Sequence, residues 1–447
     1  MPDTLFAPVI QAINQFSPGS TERASAEQQA RAWAANNKML AQWDAEFYGT
    51  TKTSEQLELE RMMAGVAEVS KIGGFELIPI DGFYAPRVIV LRFRPAVATD
   101  VCRVLSKFKN VAARVPGIGA NPPPTVRIID GGIEVLCARK KWEVCHLLSY
   151  IKPRRWNCWD ALTLDFGVEL EGAVLSVPII HVQIAGTSGG GKTVLMNSLL
   201  GSVAMQYKPT HVQWMLLDVE KVGLCQFNGL AWFWKGVDGK MATESITDLA
   251  ECYRALEQVL QEHERRLNAL SKAGVDCLEK YNRRNSQNPI PRLLVVIDEY
   301  ALLLSGMGRA LSQEVESDDP KTIATIAKEG RTMVESLTIE ISQRCRKTGI
   351  HLIVASQSAR ADIFDVNLRD NLATKVALKC VSPGASAVAF GYVCDDAVRL
   401  AGNGDMWVVS GGETKRAQGF YIDDETIGPN GKTKLQQLID LAKKVQA

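Results

Sequence analysis

Residues 181–193 read HVQIAGTSGGGKT, and this stretch decides the fold of the chain. His181 to Ala185 are mostly apolar and predict a short buried strand. Gly186 to Thr193 match the pattern GxxxxGK[ST] at every fixed position, and apolar residues at helical spacing follow from Val194. A strand, a glycine-rich loop and a helix in this order are the context in which the pattern predicts a phosphate-binding loop.

The chemistry of such a loop follows from its backbone. Glycines allow successive N–H groups to point into one concavity, and the N-terminus of the following helix adds a partial positive charge. We expect Lys192 to contact the β- and γ-phosphates of ATP and the Thr193 hydroxyl to ligate Mg²⁺. The predicted nucleotide-binding residues are Gly186, Thr187, Ser188, Gly189, Gly190, Gly191, Lys192, Thr193 and Val194.

Two further apolar strands end in polar side chains. The first, LLVVI at 293–297, is followed by Asp298 and Glu299. Because ligands of parallel sheets lie at the carboxyl ends of the strands, we expect Asp298 to hold the Mg²⁺ shell together with Thr193. Glu299 is then expected to orient and deprotonate the attacking water, as the catalytic base. A third strand, 349–356, ends at Gln357, whose amide is placed to sense the γ-phosphate.

Three regions are predicted along the chain. Residues 1–75 show helical spacing and predict an N-terminal helical region. Residues 76–175 contain short β runs with intervening helical segments near 98–113 and 141–151, which indicates a smaller α+β domain. Residues 176–447 alternate apolar strands with amphipathic helices, which predicts an α/β domain with a parallel sheet covered by helices.

Composition restricts the class of protein without identifying a cargo. The 447 residues include 51 basic and 50 acidic side chains, so overall charge does not indicate a nucleic-acid binder. The ten cysteines include no CxxC pair, which is typical of reduced thiols and not of a zinc site. The N-terminus has no basic segment and cleavage site of a signal peptide. No apolar run approaches the roughly 20 residues of a membrane span. We therefore expect a soluble, cytoplasmic protein.

The motifs, taken in order, resemble the FtsK/SpoIIIE family of DNA-translocating motors. The similarity rests on six segments between residues 181 and 420, each short but all in the order of the family. They are HVQIAG at 181–186, the helix at 249–270 with Tyr281-Asn282, DEYA at 298–301, the stretch from Arg346 through GIHL at 349–352 to Gln357, GNGDM at 402–406, and Lys415-Arg416 with Gly419-Phe420. Residues 129–135 and the predicted helix after Arg139 resemble the small domain that stacks on the motor ring in this family.

The resemblance implies a RecA-like fold, ATP hydrolysis with Mg²⁺, and a homo-oligomeric ring, a hexamer, around double-stranded DNA. It also implies an arginine that faces the nucleotide of a neighbouring subunit. At the position of that arginine this chain has Lys375, which carries the charge without the planar fork. Arg346, or Arg344 beside it, is therefore the better candidate for this contact.

Two segments depart from the family in ways that concern the cargo. Residues 382–388 correspond to the first pore loop, where the family often has Lys and Arg, but here they read SPGASAV. Lys415 and Arg416 are left as the main candidates for DNA contact, with a solvated β-turn as the alternative. Residues 312–331 form a polar insertion that either contacts a neighbour or partner or has no role.

The remaining expectations concern the biological setting. The chain ends soon after Phe420, without the winged-helix module and membrane-spanning region of the cellular motors, which favours a short motor of a mobile element or phage. One alternative is a coupling or packaging ATPase that acts on a nucleoprotein, with a relaxase, a capsid component or a membrane protein as partner. Others are a protein-export motor and, least favoured, a purely structural ATPase.

Overall fold

The computed structural model describes residues 13–15, 17, 20–36, 54–97, 124–130, 132–139, 141–151, 157–313, 320–423 and 431–446. The chain divides into two compact units. The first takes the described residues within 1–83, 89–120 and 126–137, and the second takes the others. The predicted helix near 98–113 lies outside the described residues.

The first unit combines helices with a small sheet. Its helices are α1 (Thr21–Asn36) and α2 (Ser54–Ile72). The sheet has four strands in the order β1-β2-β4-β3. Its strands are β1 (Leu77–Tyr84), β2 (Val88–Pro95), β3 (Thr125–Ile129) and β4 (Gly132–Ala138). Glu134 in β4 is buried and pairs with Arg92 of β2 at 3.1 Å and with Arg127 of β3 at 3.7 Å, so ion pairs link these strands within the sheet.

The second unit is built on a nine-stranded sheet with the order β6-β5-β13-β12-β11-β7-β10-β9-β8. Its strands are β5 (Thr163–Glu169), β6 (Val174–Pro178), β7 (Val182–Ala185), β8 (Val212–Leu217), β9 (Arg292–Ile297), β10 (Ile350–Ser356), β11 (Thr374–Ala377), β12 (Asp405–Ser410) and β13 (Glu413–Gly419). Strands β11, β7, β10, β9 and β8 are parallel to one another. The other four strands join antiparallel.

Burial explains why the parallel strands lie at the centre. Every residue of β7, β9 and β10 is buried, which is typical of strands covered on both faces. The α/β prediction with a parallel sheet is confirmed for this part. The domain boundary expected between residues 175 and 176 does not match the strand pairing. Strand β5 precedes that boundary, yet it pairs with β13, where Gly167 lies beside Gly419. Residues 163–178 therefore belong to the large sheet.

Helices complete the second unit. They are α3 (Leu147–Tyr150), α4 (Lys192–Gln206), α5 (Leu249–Lys272), α6 (Leu278–Arg284), α7 (Tyr300–Gln313), α8 (Pro320–Arg344), α9 (Val366–Asn371), α10 (Pro383–Phe390) and α11 (Lys434–Gln446). Within the described ranges, no helix has both the length and the apolar character that a membrane span requires.

Two segments differ from their sequence-based description. The insertion at 312–331 contains the end of α7 and the start of α8, with 314–319 outside the described residues, so most of it is helical. The expected pore loop at 382–388 forms most of α10. Ser382 caps this helix by accepting a hydrogen bond from the Ala385 amide at 3.2 Å, and Pro383 occupies its first turn.

Two buried histidines connect β7 and β10 near the N-terminal ends of these strands. His181 Nδ1 accepts a hydrogen bond from the Leu352 amide at 3.0 Å, and His351 Nδ1 donates to the Ile180 carbonyl at 2.8 Å. The Nε2 atoms of both rings are buried and have no partner within the described part of the chain. Burial lowers the pKa of His181 to about 4 and that of His351 to about 3, and nearby arginines add to both effects. Both rings are therefore neutral at pH 7.

These histidines predict acid sensitivity of the second unit. Because their folded-state pKa values lie below the ordinary value near 6.5, the unfolded chain takes up protons first as the pH falls. The contribution of the two neutral histidines to the free energy of unfolding is fully present above about pH 6.5. By pH 5, each histidine is expected to have lowered that free energy by about 2 kcal/mol. Thermal melts of the free protein at pH 7.5, 6 and 5 measure this loss.

The matched variant for this experiment is His181→Asn combined with His351→Asn. An asparagine amide can accept from the Leu352 amide and donate to the Ile180 carbonyl, but it does not titrate. The double variant is expected to be less sensitive to pH between 7.5 and 5 than the native protein. Equal pH dependence of the two proteins would contradict the assignment of the acid sensitivity to these rings.

Candidate active site

The loop between β7 and α4 has the backbone conformation that its glycines permit. Gly189 and Gly191 have φ angles of 77° and 99°, in the left-handed region that favours glycine. A Cβ on Gly191 would lie 2.5 Å from the Gly404 amide nitrogen, so this position also requires a residue without a side chain. Gly191 caps α4 without a side-chain hydrogen bond, which leaves N–H groups of the first turn available to an anion.

The rest of the unit holds this loop in place. Asn403 N donates to the Gly189 carbonyl at 3.2 Å, and Gly404 N donates to the Gly190 carbonyl at 2.8 Å. On the other side, the amide and hydroxyl of Thr187 both bond to the Lys379 carbonyl, at 2.9 and 3.0 Å. The loop is therefore fixed by backbone hydrogen bonds on both sides. Its exposed residues include Ser188 and Thr193, whose hydroxyls are open to a ligand.

The structure brings Lys192 together with both acidic residues predicted for the site. Lys192 Nζ lies 2.6 Å from the Asp298 backbone oxygen, 3.3 Å from Asp298 Oδ1 and 3.1 Å from Glu299 Oε2. All three residues are buried. A lysine ammonium in a buried setting requires such partners, so a phosphate group that attracted Lys192 would compete with these two carboxylates.

The oxygen atoms at Asp298 fit a magnesium ion. Asp298 Oδ2 is buried and has no hydrogen-bond partner within the described ranges. Burial and the nearby Asp218 raise the pKa of Asp298, whereas Lys192 opposes the rise. Mg²⁺ prefers carboxylate and hydroxyl oxygens, so a cation held by Asp298 and Thr193 would satisfy this oxygen. When bound, Mg²⁺ supplies positive charge that neutralises the phosphates.

Asp218 shapes the surroundings of that oxygen. Its carboxylate is buried at the end of β8 and accepts hydrogen bonds from the amides of Lys221 and Leu224, at 3.1 and 2.8 Å. These bonds fold the following loop over Asp298, where a Cβ on Gly223 would lie only 2.6 Å from Asp298 Oδ2. Glycine at this position therefore leaves space beside the buried oxygen.

Glu299 is connected to the end of β10. Its Oε1 accepts from Ser356 Oγ at 2.6 Å, and its Oε2 accepts from the Gln357 amide at 2.8 Å. The Gln357 side chain is exposed and lies beside the phosphate-binding loop. The predicted catalytic base and the predicted γ-phosphate sensor are therefore neighbours, joined by a backbone hydrogen bond. Sequence analysis did not select Ser356, although its position at a strand end next to Gln357 is a usable signal.

The candidates for a contact with a neighbouring subunit differ in availability. Arg344 forms ion pairs with Glu264 and Glu340. Lys375 is half-buried, and its Nζ donates to the Leu372 carbonyl at 3.0 Å. Arg346 is exposed in the 3₁₀ turn before β10, and among the described residues its guanidinium has no hydrogen bond or ion pair. Of the three side chains, Arg346 is thus the one available to another molecule.

The two predicted DNA contacts also separate. Lys415 is exposed in β13 and lies 3.4 Å from Glu169. Arg416 is only 6% exposed, donates to both oxygens of Asp405 at 3.0 and 2.7 Å, and lies over the Trp407 ring. Its guanidinium is occupied within the sheet, which argues against the predicted DNA contact. Adjacent residues of a strand face opposite sides, so these two side chains point apart.

The chain is similar in sequence to a known protein family and to named proteins. The model of the FtsK/SpoIIIE family matches residues 147–360. The chain is 26% identical over 394 residues to the DNA translocase FtsK of Staphylococcus epidermidis. It is 30% identical over 371 residues to the DNA translocase FtsK of Oceanobacillus iheyensis. The chain belongs to the FtsK/SpoIIIE family. Members of this family are P-loop ATPases.

The similarity covers most of this chain but less than half of each FtsK relative. The alignments cover 84% and 79% of this chain but only 44% and 40% of the two FtsK proteins, so the chain spans less than half their length. Among solved structures, the conjugation coupling protein TcpA of pCW3, a monomer form with ATPγS, aligns with a TM-score of 0.51. It is 16% identical, and the match covers 86% of this chain and 99% of TcpA, which shows a shared fold.

Proposed function

We propose that this FtsK/SpoIIIE chain hydrolyses ATP to move double-stranded DNA, and that it works as a ring of identical subunits. The observation that carries the proposal is the convergence of Lys192, Asp298 and Glu299 at the end of the phosphate-binding loop. A passive nucleotide-binding protein has no need for a buried carboxylate that is oriented by two separate donors. Glu299 has such donors in Ser356 Oγ and the Gln357 amide.

In the proposed cycle, the triphosphate takes Lys192 away from the two carboxylates. Amides at the end of the loop and in the first turn of α4, such as those of Gly191 and Thr193, and the Lys192 ammonium would bind the phosphates, and Thr193 and Asp298 would hold Mg²⁺. Glu299 keeps its two donors from the β10 end and accepts the proton of the attacking water. The backbone amide of Gln357 orients Glu299, and the side chain of Gln357 is the proposed sensor of the γ-phosphate. Loss of that phosphate would therefore change the contacts of a residue that also orients the base.

The position of Arg346 supports the proposed ring. β10 runs parallel to β7, with Ser356 beside Ala185, so the carboxyl ends of both strands meet at the phosphate-binding loop. Arg346 precedes β10 and therefore lies at the opposite edge of the sheet, roughly 20 Å away for a seven-residue strand. It cannot reach the nucleotide of its own subunit. A neighbouring copy, in a hexamer or another closed ring, would bring Arg346 to a nucleotide.

The DNA cargo is tested by the ATPase rate with and without linear duplex. We expect saturating duplex to raise the rate and the protein to displace the third strand of a DNA triplex. An ATPase rate that does not respond to saturating duplex would contradict DNA as the cargo. Activity that appears only with an added protein would point to the second candidate described below.

Lys415→Ala is expected to weaken DNA stimulation. Removal of one phosphate contact reduces the salt slope of DNA binding by about one, without a preference for sequence. The measurement is the duplex concentration for half-maximal stimulation at several salt concentrations. Lys272→Ala, which removes an exposed lysine at the end of α5, is the matched control and should leave the response unchanged. A Lys415→Ala response equal to that of the native protein would contradict the contact.

A second candidate is a coupling or packaging ATPase whose cargo is a nucleoprotein or a protein. The burial of Arg416 favours it, because one of the two expected DNA cations is occupied by Asp405. Residues 382–388, which form most of α10, contain no basic side chain either. A partner such as a relaxase or a capsid component would then supply the grip on DNA, and full activity on naked duplex would contradict this candidate.

A further inference from the structure

A pocket of about 620 Å³ lies beside the phosphate-binding loop. One side is formed by the loop and by Lys192 and Thr193 at the start of α4. The other side is formed by Trp142, Val144 and Tyr421. Trp142 is 39% exposed and Val144 is 40% exposed. These two partly exposed apolar side chains lie beside the phosphate-binding loop. A bound phosphate group would not contact them, so they offer a surface to an apolar part of a larger ligand.

Backbone hydrogen bonds hold this surface in position. The Tyr421 amide donates to the Cys145 carbonyl at 2.8 Å, and the Leu147 amide donates to the Tyr421 carbonyl at 2.9 Å. The Glu143 amide donates to the Pro86 carbonyl at 2.9 Å. On the other side of Trp142, the Arg139 amide donates to the Arg87 carbonyl at 3.1 Å, so the segment that carries Trp142 is fixed on both sides.

Trp142 is also supported from behind by Arg87. The Arg87 guanidinium carbon lies 3.8 Å from the centre of the Trp142 ring, so one face of the indole is covered. Arg87 is only 6% exposed, and its Nη2 donates to the Gly402 carbonyl at 2.8 Å. Gly402 directly precedes Asn403 and Gly404, whose amides bond to the phosphate-binding loop. The indole is therefore fixed relative to that loop.

The same pocket contains an unsatisfied acceptor. Gln418 lines it and is 5% exposed. Its Nε2 donates to the Asn403 and Gly419 carbonyls, at 2.9 and 3.3 Å, which determines the orientation of the amide. Its Oε1 is buried and lacks a partner among the described residues. A ligand with a hydroxyl or amino donor, such as a nucleoside, would satisfy this oxygen.

We propose that Trp142 is the stacking surface for the base of the nucleotide whose phosphates lie on the glycine loop. The inference rests on the proposed function, since it requires a nucleotide on that loop. Because Arg87 covers one face of the indole, the base stacks on the other, in the order guanidinium, indole, base. The arrangement combines a cation–π contact with aromatic stacking. Trp142 lies outside residues 147–360, which match the family model.

The experiment compares a ligand that has a base with one that lacks it. AMP-PNP with Mg²⁺ and inorganic tripolyphosphate with Mg²⁺ are titrated into the full chain and into the Trp142→Ala and Trp142→Phe variants. Trp142→Ala is expected to weaken AMP-PNP about tenfold, a typical loss for one stacked base, and to leave tripolyphosphate unchanged. Trp142→Phe retains an aromatic face and should recover most of the AMP-PNP affinity.

The other outcomes separate this inference from the proposed function. Unchanged AMP-PNP affinity in Trp142→Ala would overturn the inference, as would equal weakening of both ligands, since that result indicates a structural role for Trp142. Lys192→Ala is expected to weaken both ligands, and it identifies the phosphate site as the place of binding. A native protein that binds neither ligand would overturn the proposed function and this inference together.

Discussion

Replacing Glu299 with glutamine is expected to lower the ATP turnover rate by about 10²–10⁴-fold, while the nucleotide stays bound. Glutamine matches glutamate in size, and its amide oxygen can still accept from the Gln357 amide. Its amide nitrogen can donate to Ser356 Oγ, because the serine hydroxyl can turn. The substitution therefore preserves the contacts of Glu299 with the end of β10 and removes the group that takes a proton from water.

The measurement has two parts. Phosphate release under steady-state conditions gives the turnover rate, and filter binding with labelled ATP gives the bound nucleotide. Ser356→Ala is the matched control, because it removes one hydrogen bond to Glu299 and leaves the carboxylate. Its rate should fall by only about fivefold, the value that corresponds to roughly 1 kcal/mol for one hydrogen bond. Turnover by Glu299→Gln at more than a tenth of the native rate would exclude Glu299 as the base.

The centre of the fold and the chemical part of the site were predictable because both depend on local sequence. A buried parallel strand is a continuous apolar run, and the residue that follows it lies at the ligand edge of the sheet. Lys192, Asp298 and Glu299 therefore converge from segments that are each recognisable alone. The hydrogen bonds of Ser356 and Asp218 depend on distances between strands, which no single segment specifies.

The antiparallel part of the sheet was not predictable in the same way. Strand β5 pairs with β13 across about 250 positions of the chain, with Glu169 beside Ala417. Such pairings depend on which edge of the parallel sheet is open, and the sequence of residues 163–178 does not contain that information. The exposure of Lys415 and Arg416 illustrates the same limit. Strand alternation separates the two side chains, but only Asp405 across the hairpin determines which of them is buried.

Arg346→Ala is expected to lower the maximal ATPase rate by roughly 10³-fold, the lower bound for loss of an arginine that stabilises the transition-state charge. The 3₁₀ turn that carries Arg346 is well supported. Arg266 donates to the Thr348 carbonyl at 2.9 Å, and the Thr348 hydroxyl donates to the Cys345 carbonyl at 2.8 Å. An exposed arginine on a fixed turn can be replaced without loss of the fold, so the effect should appear in the rate and not in stability.

Two further variants distinguish this role from a general loss of charge. Arg346→Lys keeps the charge but lacks the planar fork, and it should remain strongly impaired. Arg344→Ala is the matched control, because Arg344 lies two positions away in the chain and is already paired with Glu264 and Glu340. Its ATPase rate should stay within a few-fold of the native rate, since exposed ion pairs contribute little.

Mixing of two inactive variants tests whether Arg346 acts on a neighbouring subunit. Subunits with Lys192→Ala lack a working phosphate site but present a native Arg346, and subunits with Arg346→Ala have the opposite defect. In a mixed ring some Lys192→Ala subunits place their Arg346 at an intact site of the neighbour, so activity should return in the mixture. Sedimentation establishes that the variants form the same oligomer as the native protein. The sheet places Arg346 too far from the nucleotide of its own subunit to act within that subunit. A mixed oligomer that stays inactive would therefore contradict a contact between subunits, as would an Arg346→Ala protein with the native rate.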